Sequence, residues 1–169
     1  VGNHADAVAG ACRASPETAR RLSVVAGTSP VLMRGLDRSP DLLADLAAPD
    51  GDREAVMRRV HKAGEVEPER VRETLRRAVR REKTRIGLAD VLDVSDQDTV
   101  GSDLATVAHA AVDVALASVA PGVPLAVLAV GRLAGGELSY ASDLDLVLVH
   151  DSDDAEGREE ALRAGDAVR

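Results

Sequence analysis

An α+β fold is predicted for this 169-residue chain: an all-helical region to about residue 120, then the first strands and the helix of an incomplete mixed sheet. Three observations predict it. Ser-Pro pairs recur through the first third, long apolar stripes at helical spacing follow, and beyond Pro121-Gly122 the pattern changes to short, continuous apolar runs.

The pairs Ser15-Pro16, Ser29-Pro30 and Ser39-Pro40 each read as a helix start, with serine as N-cap and proline at the first helical position. They predict short helices over 16–26, 30–37 and 40–48, with Gly27 and Pro49 marking two of the ends. From Asp52 a further helical segment leads to Glu67-Pro68. A long amphipathic helix then carries Val71, Leu75, Val79, Ile86 and Ala89 on one stripe. Asp96 or Ser102 opens the next helix, striped by Leu104, Val107, Ala111, Val114 or Ala115, and Val119. "VPLAVLAVG" and "DLDLVLVH" read as strands buried on both faces, and "DDAEGREEALRAGDAV" returns to helix.

A chain of this length buries on the order of 70% of its unfolded surface. Its core is built without Phe or Trp, and Tyr140 is the only large aromatic, so Leu, Val and Ala must pack helices at close range. The net charge of −8 argues against a nucleic-acid partner, because phosphate-backbone binding needs a basic surface. The charge is uneven: "RVRETLRRAVRREKTR" is basic, and reads either as a solvated helix face or as a surface for an acidic partner. A single cysteine, Cys12, excludes an internal disulfide and fits a reducing compartment. No run approaches the roughly 18 consecutive apolar residues of a membrane span, and no signal peptide is recognised, so the expectation is cytoplasmic, without a membrane. The start at Val1 and the end inside a helical pattern predict a piece of a longer chain.

The chemistry concentrates in "GRLAGGELSYASDLDLVLVHD", residues 131–151. In a strand, residues i and i+2 share a face, so Asp143 and Asp145 present carboxylates about 6–7 Å apart, with Leu144, Leu146 and Leu148 opposite. Two adjacent hard oxygen donors suit Mg²⁺. An exposed strand start is the other reading of a bare D-x-D. Here the apolar run follows the acids, whereas haloacid-dehalogenase-type phosphatases and many glycosyltransferases place it before them. If the two strands pair antiparallel, Gly131, Gly135 and Gly136 face the acids, and glycines let backbone N–H groups approach a triphosphate closely. The segment lacks the G-K-[ST] of a Walker loop and the G-x-G-x-x-G of a dinucleotide fold.

Taken whole, this stretch resembles the signature G-x-L-G-G-x-E-L-x-x-x-S-D-x-D-L of glutamine-synthetase adenylyltransferases, in the DNA-polymerase-β-like nucleotidyltransferase superfamily. Gly131, Leu133, Gly135, Glu137, Leu138, Ser142, Asp143, Asp145 and Leu146 fall in register. "SPVLMRGLDRSPDLLADL" and "LRRAVRREKTRIGLADVLDVSD" resemble upstream helices of the same family, so the resemblance covers most of residues 28–151. It implies a helical region over 1–120 and a truncated nucleotidyltransferase domain over 121–169. It also implies AMP transfer from ATP to a tyrosine hydroxyl of glutamine synthetase, or phosphorolytic removal of that AMP, with a nitrogen-signalling protein as regulator. "ELSYASDLDL" looks more like the adenylylating half.

Under this resemblance Asp143 and Asp145 hold Mg²⁺ as the catalytic acids. Gly131, Arg132, Gly135, Gly136 and Ser142 serve ATP, Ser142 capping the turn, and Arg132 either pairing with phosphate or remaining solvated. A third carboxylate, supplied in the family by a later strand, is not in this chain, so the fragment alone is expected to be inactive. Ala134 stands where the family has a glycine, which argues against a positive φ there. The rival readings are another protein-modifying nucleotidyltransferase, such as a uridylyltransferase, and a non-catalytic helical docking or regulatory module.

Overall fold

A computed structural model describes residues 4–46, 52–119 and 122–168. Four helices open the chain: α1 (Ala5–Ala14), α2 (Pro16–Thr28), α3 (Pro30–Arg38) and the single turn α4 (Leu42–Asp45). Ser15 and Ser29 cap α2 and α3 through side-chain acceptance from the amides of Thr18 and Leu32, with proline at the first position of each. Gly27 lies inside α2 instead of ending it, and Pro49 and Pro121 lie outside the described residues. The helix over Ala5–Ala14 has no fully buried residue and packs on the first helices only through the partly buried Val8, Ala11 and Cys12.

Next come α5 (Arg53–His61), capped by Asp52 on the amides of Glu54 and Ala55, and a 3-10 turn over Lys62–Gly64. They are followed by α6 (Pro68–Val91) and α7 (Gln97–Val119). Asp96 opens α7, its carboxylate accepting the Thr99 amide at 2.8 Å. Asp93 takes the left-handed conformation, φ 56°, just after α6, one that Asp tolerates better than most residues.

Helix α6 divides the core. Ile86 faces Val56, Val60, Leu104, Val107 and Ala110 of α5 and α7. Leu88 faces Leu22, Val25, Leu36 and Leu42 of the first helices. In the absence of Phe and Trp, glycines set the spacing of α3 and α6. A Cβ on Gly35 of α3 would meet Thr84 Oγ1 at 2.5 Å, and one on Gly87 would meet Leu32 Cδ2 at 2.7 Å. Helix α7 has the length and mean hydropathy, 1.3, of a membrane span despite lacking an unbroken apolar run. Here it is a packed core helix, contacting α5 and α6.

The basic helix is not solvated throughout. Glu82 and Arg85 are 1% and 3% exposed. The Glu82 carboxylate receives Arg59 through Nε and Nη2 at 2.7 and 2.9 Å, Arg81 Nη1 at 2.7 Å and Arg85 Nε at 3.0 Å. Arg85 goes on to Asp103 of α7, and Arg81 to Asp41.

Strand β1 (Leu125–Ala129) pairs antiparallel with β2 (Leu146–His150), Leu125 opposite His150 and Ala129 opposite Leu146. Between them lies a helical turn, α8 (Gly131–Gly135), and after them α9 (Ala155–Val168). The expectation that both strands are buried on both faces is corrected. Burial alternates along each, because α9 packs on one face only, closely enough that a Cβ on Gly165 would lie 2.9 Å from Leu148 Cδ2. On the other face Leu128, Val147 and Val149 are half-exposed. The sheet is a two-stranded antiparallel pair among the described residues, not a mixed one.

Burial alone would raise the Glu82 pKa, but the hydrogen bonds from Arg59 and Arg85 outweigh it and hold the carboxyl below its ordinary value. Glu82→Gln should therefore cost about 3 kcal/mol or more in urea unfolding, since it leaves guanidinium groups buried without their counter-charge. A group whose pKa is lower folded than unfolded contributes stability that is complete above the unfolded value and lost as pH falls through the folded one. Unfolding free energy should accordingly hold steady from pH 7 to 5 and decline below about pH 4.3, and the Glu82→Gln variant should lose part of that slope.

Candidate functional site

The antiparallel register fixes the site. The end of β1 lies beside the start of β2, and the Val130 amide donates to the Asp145 carbonyl at 3.0 Å, one step beyond the strands proper. Asp145 therefore sits at the last rung of the ladder. Asp143 lies outside it, and Leu144, expected to be buried on the face opposite the acids, is half-exposed for the same reason. Both acids are exposed.

Gly131 begins α8 with φ +59°, and a Cβ there would stand 2.8 Å from Asp145 Oδ2. A left-handed backbone and a carboxylate at this distance both require glycine. The absent side chain leaves the Asp145 carboxylate open to a cation. An open carboxylate is a hard oxygen donor of the kind Mg²⁺ takes while completing its shell with water and phosphate oxygens, and the exposed Asp143 lies two residues before it. Among the described residues no group of three metal-ligating side chains forms.

The glycine segment is a helical turn and not an open loop. Gly136, at φ +70°, ends it, and the amides of Gly136 and Glu137 donate back to the carbonyls of Leu133 and Arg132 at 3.2 and 2.9 Å, a Schellman closure. Ala134 lies within the turn and has no positive φ. Leu133 and Leu138 anchor it in the core shared with α5, α6 and α7. Gly101 of α7 brings that helix against the turn, where a Cβ would lie 3.4 Å from the Glu137 Cα.

Beyond the turn, Ser142 Oγ accepts the Ser139 amide at 2.9 Å while the Ser142 amide donates to the Ser139 carbonyl at 3.1 Å. Ser142 thus fixes the bend that delivers the chain to Asp143. Tyr140, at the tip, is tied twice to α6: Lys83 Nζ donates to its carbonyl, and its hydroxyl donates to Asp90 Oδ2, both at 3.0 Å. Partial burial, then the Asp90 carboxylate, push the Tyr140 phenol well above its usual range. Lys83, Asp90 and Ser139 carry no local pattern that marks them in the sequence; the contacts of Lys83 and Asp90 with Tyr140 span 57 and 50 residues.

A cleft of about 960 Å³ runs between this segment and the first half of α7, lined by Arg132, Gly135 and Gly136 on one side and Gln97, Ser102 and His109 on the other. Asp143, Asp145 and Gly131 are not in its wall. The sequence-derived residues therefore divide into an acid–glycine contact at the strand head, a cleft beside the helical turn, and the serine-fixed bend between them.

The sequence profile of the glutamate-ammonia ligase adenylyltransferase family matches residues 19–168. A bifunctional glutamine synthetase adenylyltransferase/adenylyl-removing enzyme from Ralstonia nicotianae is 38% identical over 70% of the chain. Enzymes of the same name from Mycolicibacterium smegmatis and Cutibacterium acnes are 36% and 38% identical over 83% and 78% of it. The chain spans 14%, 16% and 14% of the length of these three relatives.

Gly131→Ala and Gly136→Ala should each lower stability by about 1–2 kcal/mol in urea unfolding, because both force a side chain into a left-handed backbone. Gly135→Ala, whose Cβ would find its nearest neighbour at 3.8 Å, should be neutral or slightly stabilising within the helical turn. Only Gly131→Ala should also shift the Asp145 carboxylate, a displacement that crystallography of the variant would register.

Proposed function

Because the chain belongs to the glutamate-ammonia ligase adenylyltransferase family, we propose that these residues form the nucleotide end of an enzyme that transfers AMP from ATP to a tyrosine hydroxyl of glutamine synthetase. The observation that carries the reading is the Gly131–Asp145 contact, in which a glycine required by its backbone leaves a strand-head carboxylate accessible. In this proposal β1, β2 and α9 begin a polymerase-β-like nucleotidyltransferase domain over residues 121–169, and residues 1–120 are the helical region that precedes it. The half represented is the adenylylating one, in keeping with the Ser139-Tyr140 pair ahead of Ser142-Asp143.

Asp143 and Asp145 are the residues that would hold Mg²⁺. Bound there, the metal supplies neutralisation of phosphate charge as pyrophosphate departs. The protein's own share is positional. The Ser139–Ser142 bend sets the approach of Asp143, the Val130–Asp145 backbone bond sets that of Asp145, and the Schellman closure holds Gly135 and Gly136 beside the cleft. Arg132, exposed on the same turn, is placed to meet phosphate. The third carboxylate implied by the family resemblance has no counterpart among the described residues, so the 169 residues alone should transfer little or no AMP.

In the complete protein, Asp143→Asn or Asp145→Asn should lower AMP transfer to glutamine synthetase roughly 10³-fold or more, measured with radiolabelled ATP, with the folded state unchanged by circular dichroism. Turnover near the unsubstituted rate in either variant would remove these acids from the reaction.

A further inference from the structure

A second cleft, of about 730 Å³, lies between α3 and α6, away from the acids. Its floor follows from the helix packing. Gly35 sits on Thr84 and Leu32 sits on Gly87, so the two helices run antiparallel with a shallow channel alongside their contact. Along α6 the lining residues Arg77, Arg80, Thr84, Gly87 and Val91 recur at i, i+3, i+7, i+10 and i+14, one face of the helix. At 1.5 Å per residue that face is about 21 Å long. This is the span of an extended peptide of about six or seven residues.

The channel is polarised. Arg38, Arg77 and Arg80 crowd one end, Lys83 lies midway, and apolar Val31, Leu32 and Val91 continue toward Asp90 and Tyr140. Val31 is 65% exposed, so the apolar stretch of the channel is open to a partner. Arg77 and Arg80 share one exposed partner, Glu73, at 3.8 and 3.5 Å, contacts too long and too solvated to hold them. A cationic rim over apolar residues, on a chain of net charge −8, selects an acidic segment that also carries apolar side chains. The far end closes on Tyr140 and Asp90, which are equally the wall of the cleft beside the glycine turn.

From this we infer that the α3–α6 channel is a docking groove for an acidic, apolar-bearing segment of the protein substrate, laid along α6 with its acids on Arg77 and Arg80. The identity of that substrate as glutamine synthetase rests on the function proposed above. The groove's contribution is to hold the partner beside the nucleotide cleft; it takes no part in bond making. Lys83 and Asp90 already strap Tyr140 to α6, so the two clefts are held in fixed relation by the same tie.

The test uses the full-length protein and purified glutamine synthetase, with two readouts: the Kd of the complex and the kinetics of AMP transfer. Arg77 and Arg80 side chains are 69% and 59% exposed, so reversing their charge should not unfold the helix. Arg77→Glu/Arg80→Glu should weaken the Kd and raise the KM for glutamine synthetase about tenfold near 0.1 M salt, leaving kcat and the KM for ATP unchanged. The difference should shrink at 0.5 M salt, where exposed charges are screened. Arg77→Lys/Arg80→Lys should stay within about twofold of the unsubstituted protein. An unchanged Kd in the reversal variant, a parallel rise in the KM for ATP, or no binding of glutamine synthetase by the unsubstituted protein would each overturn the groove. Binding that falls with charge reversal but never leads to AMP transfer would instead sustain the groove and overturn the proposed reaction.

Discussion

Glu82, a buried carboxylate, accepts hydrogen bonds from three guanidinium groups, and the positions of α5 and α7 against α6 are referred to it. Arg59 brings α5 to it, Arg81 and Arg85 come from α6 itself, and their remaining nitrogens extend the network to Asp41 and to Asp103 of α7. Buried charge of this kind contributes little net stability compared with an apolar replacement, because desolvation offsets the attraction. It does impose geometry. An aliphatic core of Leu, Val and Ala can slide by a turn at small cost, whereas a fork of donors on one carboxylate has a single register.

The fixed rotation of α6 has consequences at both ends of the molecule. With Glu82 turned inward, Arg77, Arg80 and Thr84 must face the channel against α3. Two turns apart on the helix, Lys83 and Asp90 grip the carbonyl and the hydroxyl of Tyr140. The bend that presents Asp143 and Asp145 is therefore positioned from helix residues 50 and 57 positions before Tyr140, and only its last step, the contact of Asp145 with Gly131, is local to the strands.

The helices that bury a stripe were legible from sequence, as were the two serine-proline caps that engage amides and the Asp96 start of α7. Antiparallel pairing also follows the expectation, but of the three glycines it sets only Gly131 against an acid; Gly135 and Gly136 line the neighbouring cleft instead. Other features needed the third dimension. Ala5–Ala14 packs only through the small, partly buried stripe of Val8, Ala11 and Cys12, a short pattern that is easily passed over. The glycine segment reads as a loop, because a five-residue turn with glycine at both ends has no propensity to declare it helical. The strands' apolar runs suggested two covered faces, yet coverage depends on what packs above them, and here one face alone is covered, by α9 and, at Ala129 and Leu146, by the core of α5, α6 and α7. Glu82 occupies the gap in the stripe of Val71, Leu75, Val79, Ile86 and Ala89, and an acid in an apolar register is the one local sign that the basic helix carries a buried ion network. The two acids of the candidate site were singled out by their spacing, by the glycines before them and by the family resemblance; the openness of Asp145 to a cation depends on Gly131, a contact no linear pattern states.

Tyr140 gives the molecule an optical property that follows from its composition and its place. With no Trp and no second Tyr, this phenol is the chain's sole near-ultraviolet chromophore, and it stands in the wall common to both clefts. Its absorbance and emission need no deconvolution and no label. Any ligand that loosens the Lys83 or Asp90 tie changes the polarity around one ring, and the whole intrinsic signal of these 169 residues reports on that event.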